Sequence, residues 1–251
     1  MNILLIGEGE IGKAIKKIEE NAGNEVDTIE IDYQPKIGLR TYDVCHVCIP
    51  YSEKFKEIIT KHLNTYKPNL TIINSTVKPG TTKRLIENTD MKIVHSPCIG
   101  VHPNLFEGIM TFTKMVGSET AETGELACEH FNSIEVDTIL FSSSKSTEIG
   151  KTASTTYYGY NIIYMKYLYE LCEKNNVDFE EVYTKFNEIY NEGYKKLGKT
   201  NVIRPILKFM PGKISGHCVL SNCDILKDDF ELAKLILRLD DEFEQRYKRT
   251  S

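Results

Sequence analysis

The sequence predicts an α/β fold, a doubly wound parallel sheet followed by an all-helical domain. Three observations predict it. Short apolar, β-branched runs alternate with segments of helical period up to Phe141, the signature of βαβ units. A glycine-rich turn, Gly7-Glu8-Gly9-Glu10-Ile11-Gly12, joins the first such run to the first helical one. After Ser142-Ser143-Ser144 only helical spacing remains, which sets domains of 1–144 and 145–251.

Each element follows from its residues. Asn2 to Ile6 is a short apolar run that stops at glycine, a strand. Ile11 to Glu20 places Ile11, Ala14, Ile15 and Ile18 on one helical face. Val26 to Asp32 and Val44 to Ile49 read as strands. Glu53 to Tyr66 is a helix with Phe55, Ile58, Ile59 and Leu63 on one side, and Leu70 to Asn74 is a strand. The Pro79-Gly80 turn precedes a helix over Thr81 to Asn88, and Lys92 to His95 is a strand. Lys114 to Gly117, a helix near Thr123 to Asn132 and a strand over Val136 to Phe141 continue the alternation. Beyond the serine break, a long helix runs from about Ser146 to Glu173. It carries Ile149, Ala153, Thr156, Tyr160, Ile163, Tyr167 and Leu171 at steps of three and four. Asp178 is a good N-cap for a second helix to about Lys196. A loop near Met210 to Asn222 leads to a last helix, Asp224 to Tyr247.

Composition narrows the class of function. Of 251 residues, 41% are hydrophobic and 27% charged, which suits a packed core rather than disorder. A net charge of −5 argues against a nucleic-acid surface. No apolar run nears the roughly 18 residues that cross a bilayer, and no basic leader opens the chain. No membrane partner and a cytoplasmic location are therefore expected. Seven cysteines, an odd number, fit a reduced compartment. Cys45 and Cys48 form C-x-x-C on a strand, where residues three apart face opposite ways, so both read as core thiols. His95, Cys98 and His102 match no zinc spacing, and no metal is expected.

The glycine turn carries the first functional signal. G-x-G-x-x-G after a strand and at the start of a helix is the dinucleotide-binding fingerprint of a Rossmann-type sheet. Gly7 permits the tight turn, Gly9 admits a pyrophosphate to the backbone, and Gly12 lets helix and strand pack closely. The helix N-terminus offers free N–H groups to phosphate. A ribose-binding carboxylate is expected about 20 residues on. Glu30 lies 18 residues past Gly12 and Asp32 lies 20 past it, and either one favours NAD over NADP. Glu8 and Glu10 place carboxylates in the same turn, which opposes anion binding unless they face solvent.

Several further segments, in order, resemble the UDP-glucose/GDP-mannose dehydrogenase family of nucleotide-sugar dehydrogenases. Ile73-Asn74-Ser75-Thr76-Val77-Lys78-Pro79-Gly80-Thr81-Thr82 is similar to the family's S-T-V-x-P-G-T-T. Glu148-Ile149-Gly150-Lys151 is similar to its A-E-x-x-K. Pro211-Gly212-Lys213-Ile214-Ser215-Gly216-His217-Cys218 is similar to its P-G-x-G-x-G-G-H-C. The resemblance implies an NAD-dependent oxidoreductase. Its cofactor cradle would be Gly7, Gly9, Glu10, Ile11, Gly12, Glu30 and Asp32, with Ile49, Pro50, Ser75 and Thr76 alongside. It further implies oxidation of a sugar alcohol through a Cys218 thiohemiacetal, with Lys151, Thr155 and Asn222 at the other catalytic positions.

The departures bear on mechanism. Cys98 stands where the family has a catalytic glutamate, Thr155 where it has an asparagine, and Asn222 where it has an aspartate. A third, nucleotide-binding domain that the family carries after the central helices has no counterpart in these 251 residues. A thiolate can add to the midway aldehyde, and Lys151 can supply a cation or an oxyanion donor. An amide cannot take a proton, so thioester hydrolysis is expected to be impaired. Two alternatives remain open: a compact hydroxyacid-type dehydrogenase that uses Lys151 for one hydride transfer, and a cofactor-binding pseudoenzyme. The tyrosine-rich long helix, apolar on more than one face, is expected to form a homodimer, as in the resembling family.

Overall fold

The computed structural model describes residues 1–30, 40–100 and 104–250. It divides into two compact units, Met1–Lys151 and Thr152–Ser251.

The first unit holds a seven-stranded sheet. Its strands are β1 (Asn2–Ile6), β2 (Glu25–Ile29), β3 (Val44–Val47), β4 (Leu70–Ile73), β5 (Ile93–His95), β6 (Lys114–Gly117) and β7 (Thr138–Phe141). The spatial order is β2-β1-β3-β4-β5-β6-β7. Pairing is parallel except between β5 and β6, which meet antiparallel at His95 and Gly117. The connecting helices are α1 (Glu10–Asn21), α2 (Phe55–Tyr66), α3 (Thr81–Thr89), α4 (Leu105–Thr111) and α5 (Ala121–Ser133). The short α4 has no counterpart among the expected elements.

Side-chain alternation along the strands makes two cores. Leu4, Ile6, Cys45, Val47, Ile73 and Ile93 face Phe55, Ile59, Leu63 and Leu85 of α2 and α3. Ile3, Leu5, Val44, Cys48, Ile72 and Val94 face Ala14, Ile15, Ile18, Leu105, Ile109, Ala127 and Phe131 of α1, α4 and α5. Cys45 and Cys48 thus lie in opposite cores, as their spacing requires. The strands pass beside α1 closely enough that a Cβ on Gly12 would meet the Gly7 carbonyl oxygen at 2.0 Å.

Helix α6 (Ser144–Asn175) is longer at both ends than its sequence pattern indicates, and the boundary between the units falls within it. In the second unit a π-helical stretch, Glu180–Lys185, leads into α7 (Phe186–Lys196). Asp178 accepts a hydrogen bond from the Glu181 N–H at 2.9 Å, the cap its type suggested. The expected single last helix is two: α8 (His217–Leu226) and α9 (Glu231–Thr250). Gly216, at φ +97°, turns the chain into α8.

The buried face of α6 also differs from the expected one. Thr152, Thr156 and Ile163 are buried, whereas Ile149, Tyr160 and Leu171 are exposed. Small residues explain the shift. A Cβ on Gly159 would meet Val219 Cγ1 at 2.7 Å, so the glycine lets α8 pack closely on that stripe. Tyrosines 157, 158, 160 and 164 are left outside.

Candidate functional site

The strand order reverses at β1, from which the chain goes outward to β2 and then back to β3. Open α/β sheets bind ligands at such a switch point, beyond the carboxyl ends of the strands. The sequence-predicted cofactor residues occupy that place. Gly7 to Gly12 follow β1, Glu30 follows β2, Ile49 and Pro50 follow β3, and Ser75 and Thr76 follow β4. Asp32 lies outside the described residues.

The three glycines divide the work. Gly7 has φ +93°, and a Cβ there would lie 2.7 Å from Ile49 Cγ2. Gly12 is closed by backbone. Among the described residues, Gly9 has nothing within 4 Å of its Cβ position. Gly9 is also the N-cap residue, and as a glycine it brings no capping side chain of its own. The partial positive charge of the helix start lies at this turn. Glu30 Oε1 accepts the Glu8 N–H at 2.7 Å, which ties the turn to the end of β2. Glu8 in turn pairs with Lys16 at 3.0 Å. Glu10 and Pro50 are exposed, Ile11 is half-buried, and Ile49 and Ser75 are buried. The Ser75 hydroxyl donates to the Val47 carbonyl at 3.3 Å, and the Thr76 residue beside it is half-buried.

The loop after β4 is anchored by a residue that the sequence motif contained but did not explain. Glu148 is buried, and its carboxylate accepts from Gly80 N at 2.5 Å, Thr82 N at 2.8 Å and Thr82 Oγ1 at 2.7 Å. It acts as the N-terminal cap of α3, which has none of its own. Burial raises the Glu148 pKa, against the pull of the Thr82 and Gly80 donors. His95 makes a second tie from the end of β5. Its Nε2 lies 3.1 Å from the Ser75 carbonyl and its Nδ1 2.8 Å from Thr147 Oγ1. A carbonyl only accepts, so Nε2 carries the proton. Burial takes the His95 pKa down to about 3. His95 is thus a neutral structural strut, and the His102 side of the rejected metal reading lies outside the described residues.

Lys151, on α6, donates to the Cys98 carbonyl at 2.8 Å. The Cys98 thiol is buried, with Lys114 Nζ at 3.5 Å. Lys114 is itself buried and donates to the Ser96 carbonyl at 2.6 Å. The position of the family's glutamate therefore holds a thiol faced by an ammonium group. A small recess is lined there by Cys98, Ile99, Phe112 and Lys114.

In the second unit, Asn222 is buried and donates from Nδ2 to Thr155 Oγ1 at 3.0 Å. Two of the sequence-predicted site residues are therefore hydrogen-bonded to each other. Cys218 is exposed and sits in the first turn of α8, a correction to the loop expected there. Cys223, one turn along, is fully buried.

The sequence reading missed a buried polar cluster in the first unit. Glu19 Oε1 lies 2.8 Å from both His46 Nε2 and His130 Nε2, and all three side chains are buried. Asn24 Nδ2 donates to Glu19 Oε2 at 2.6 Å, and Asn74 Nδ2 lies 3.0 Å from His46 Nδ1. The Asn74 donor makes His46 Nδ1 an acceptor, so His46 Nε2–H points at Glu19. Burial alone would raise the Glu19 pKa, but hydrogen bonds from His130 and His46 outweigh it and hold it below the ordinary carboxylate range. Burial lowers the His46 pKa. The cluster is an ionised carboxylate clasped by two imidazoles, and it fixes the last turn of α1 to β3 and α5. A glutamate on the apolar face of α1 and a histidine inside an apolar strand were the available signals.

No protein-family model matches the chain. Its curated relatives include the UDP-N-acetyl-D-mannosamine dehydrogenase of Methanocaldococcus jannaschii. That protein is 24% identical over 211 residues, 77% of this chain and 46% of its own length. The protein of that name from Methanococcus maripaludis strain S2 is 25% identical over 153 residues, 60% of this chain and 33% of its own. The chain thus spans less than half the length of these relatives. Among solved structures, a UDP-D-ManNAc dehydrogenase from Pyrococcus horikoshii superposes with a TM-score of 0.77 at 18% identity, covering 97% of this chain and 69% of that one. The 3-hydroxyisobutyrate dehydrogenase of Mycobacterium tuberculosis gives 0.71 at 15%, covering 98% and 94%. Among the described residues, no helix is long and apolar enough to cross a membrane. The chain is thus similar in sequence to curated nucleotide-sugar dehydrogenases and shares the fold of solved dehydrogenases.

Proposed function

We propose that the protein is an NAD-dependent dehydrogenase acting on a CH–OH donor of the nucleotide-sugar type. The observation that carries this reading is the first turn of α1. Among the described residues nothing lies within 4 Å of a Cβ on Gly9, at the start of α1, and the Glu30 carboxylate stands at the end of the adjoining strand. An anionic pyrophosphate suits the helix start, and a ribose diol suits Glu30. When bound, the nicotinamide would accept a hydride from the substrate carbon.

The chain's own residues would then do the following. Gly7, Gly9, Ile11 and Gly12 shape the cradle, and Glu10 remains on its solvent side. Ile49, Pro50, Ser75 and Thr76 line the neighbouring strand ends. Lys151, already a hydrogen-bond donor, would hold or stabilise a developing oxyanion. Cys218 would add to an aldehyde as thiolate, its proton passing to a base. Thr155 and Asn222, bonded to each other, offer hydrogen bonds but no carboxylate. Acid release from a thioester would therefore be slow.

A second reading, a hydroxyacid-type dehydrogenase with one hydride transfer, is supported by the fold shared with the 3-hydroxyisobutyrate dehydrogenase structure, at a TM-score of 0.71. A homodimer through the exposed Tyr157, Tyr160 and Tyr164 face of α6 is part of the first reading.

Calorimetric titration with NAD and NADP is the test. Binding of NAD in preference to NADP supports the proposal, and absence of heat at millimolar NAD overturns both dehydrogenase readings. NADH formation with nucleotide sugars, against formation with small hydroxy acids, separates the two.

A further inference from the structure

The helical unit buries one lysine and one aspartate that the proposed chemistry does not use. Lys166 of α6 and Asp240 of α9 are 1% and 0% exposed. Their ammonium and carboxylate are 3.2 Å apart. Each also holds the chain just before α8. Lys166 Nζ donates to the Gly212 carbonyl at 2.6 Å, and Asp240 Oδ1 accepts the Ile214 N–H at 2.9 Å. Ile214 is buried against Val219 and Cys223 of α8. Gly212 and Gly216 take positive φ, +74° and +97°, so the segment folds back tightly between those two points. The exposed Lys213 reaches Asp241 at 2.6 Å, a further bond on the same rim.

A buried ion pair is a poor stabiliser, because desolvation offsets most of the attraction. Here the two charges instead grip one backbone segment on both sides of Lys213. The Lys166 ring neighbour, Phe243, lies 5.1 Å from the ammonium and closes the site off from water. Burial lowers the Lys166 pKa, while the Asp240 carboxylate opposes that fall.

We propose that Lys166 and Asp240 are positioning residues for Cys218: they lock the Pro211–Gly216 segment so that the thiol is presented in one place by the first turn of α8. The proposal rests on the reading of Cys218 as the nucleophile. It adds a specificity device that neither partner would supply alone. With Lys166 gone, the Gly212 carbonyl loses this donor. With Asp240 gone, the Ile214 N–H loses this acceptor. Each freed group turns toward water, and the segment moves with it.

The experiment compares the unaltered protein with the double variant Lys166→Met, Asp240→Leu. Removing both charges avoids a lone buried ion, so the helical unit keeps its fold. Hydrogen exchange is followed at Ile214 and at Ile236, and a trifluoromethyl tag on Cys218 is read by fluorine NMR in a Cys128→Ser background. The unaltered protein should protect the Ile214 N–H as a core amide and give one narrow fluorine line. In the double variant Ile214 exchange should rise by about tenfold or more while Ile236 stays protected, and the line should split or broaden. An unchanged line and unchanged Ile214 exchange in the folded variant overturn the proposal. So does rapid Ile214 exchange in the unaltered protein, a result that needs no variant. Neither readout needs cofactor or turnover, so a failed NAD titration leaves both intact.

Discussion

Acidification should destabilise this protein through His95 before most of its carboxylates titrate. The imidazole is fully buried, and both ring nitrogens are engaged as those of a neutral ring. Its pKa of about 3 in the folded state compares with 6.5 when unfolded. A depressed histidine pKa means that the unfolded chain binds the extra proton. Stability is therefore full above pH 6.5 and falls as pH drops through the window from 6.5 to about 3. At pH 5 the window is 1.5 units deep, so His95 alone removes about 2 kcal/mol. The lowered His46 pKa acts in the same direction. Urea unfolding at pH 7 and pH 5 measures the loss, and His95→Gln isolates the contribution. Glutamine retains an N–H for Ser75 and has no proton to gain. The unaltered protein should lose about 2 kcal/mol more than the variant between the two pH values. Equal losses would refute the reasoning, because His95 would then titrate normally in the folded state.

Other expectations follow from single contacts. Gly12→Ala places a carbon 2.0 Å from the Gly7 oxygen and should cost about 2–4 kcal/mol by thermal unfolding. Glu148→Gln sets an NH₂ group among the Gly80 and Thr82 donors, and should cost about 1–3 kcal/mol by the same measurement. Limited alkylation followed by mass spectrometry should label Cys218 before Cys98 and Cys223, which are buried; the reverse order would remove Cys218 from the proposed chemistry. Light scattering should show a dimer that Tyr160→Glu dissociates, and a monodisperse monomer at micromolar concentration would exclude it. Ile163→Glu is unsuited to that test, because Ile163 is 3% exposed and the change would disrupt the core.

Glycines and β-branched runs made the first unit legible. Strands β1, β3 and β4 are mostly apolar and buried on both faces, as covered parallel strands are, and the turn after β1 contains the residues its close packing demands. Legibility failed where polar residues are buried. Glu19, His46, His130 and Lys114 all occupy core positions, which a polar letter conceals until its partners are in place. The tyrosines of α6 failed in the opposite sense. They count as apolar in a periodicity, yet their hydroxyls suit exposure, so Thr152 and Gly159 of the buried stripe went unread, while Thr156 and Ile163 lay on the expected face. Helix α8 lacked a clean apolar stripe, and its short length let Cys218 and Asn222 pass for loop residues.

The clasp on Glu19 has a consequence for how the chain comes off the ribosome. His46 is 27 residues downstream of Glu19, but His130 is 111 downstream. At roughly 5–20 residues per second, elongation needs about 5–20 s to supply the second imidazole. Until then the carboxylate lacks the His130 donor, and burying it is more costly. The nascent α1 is thus expected to seat fully on the sheet only once α5 has arrived, so that the Gly7–Gly12 turn at its start becomes rigid late.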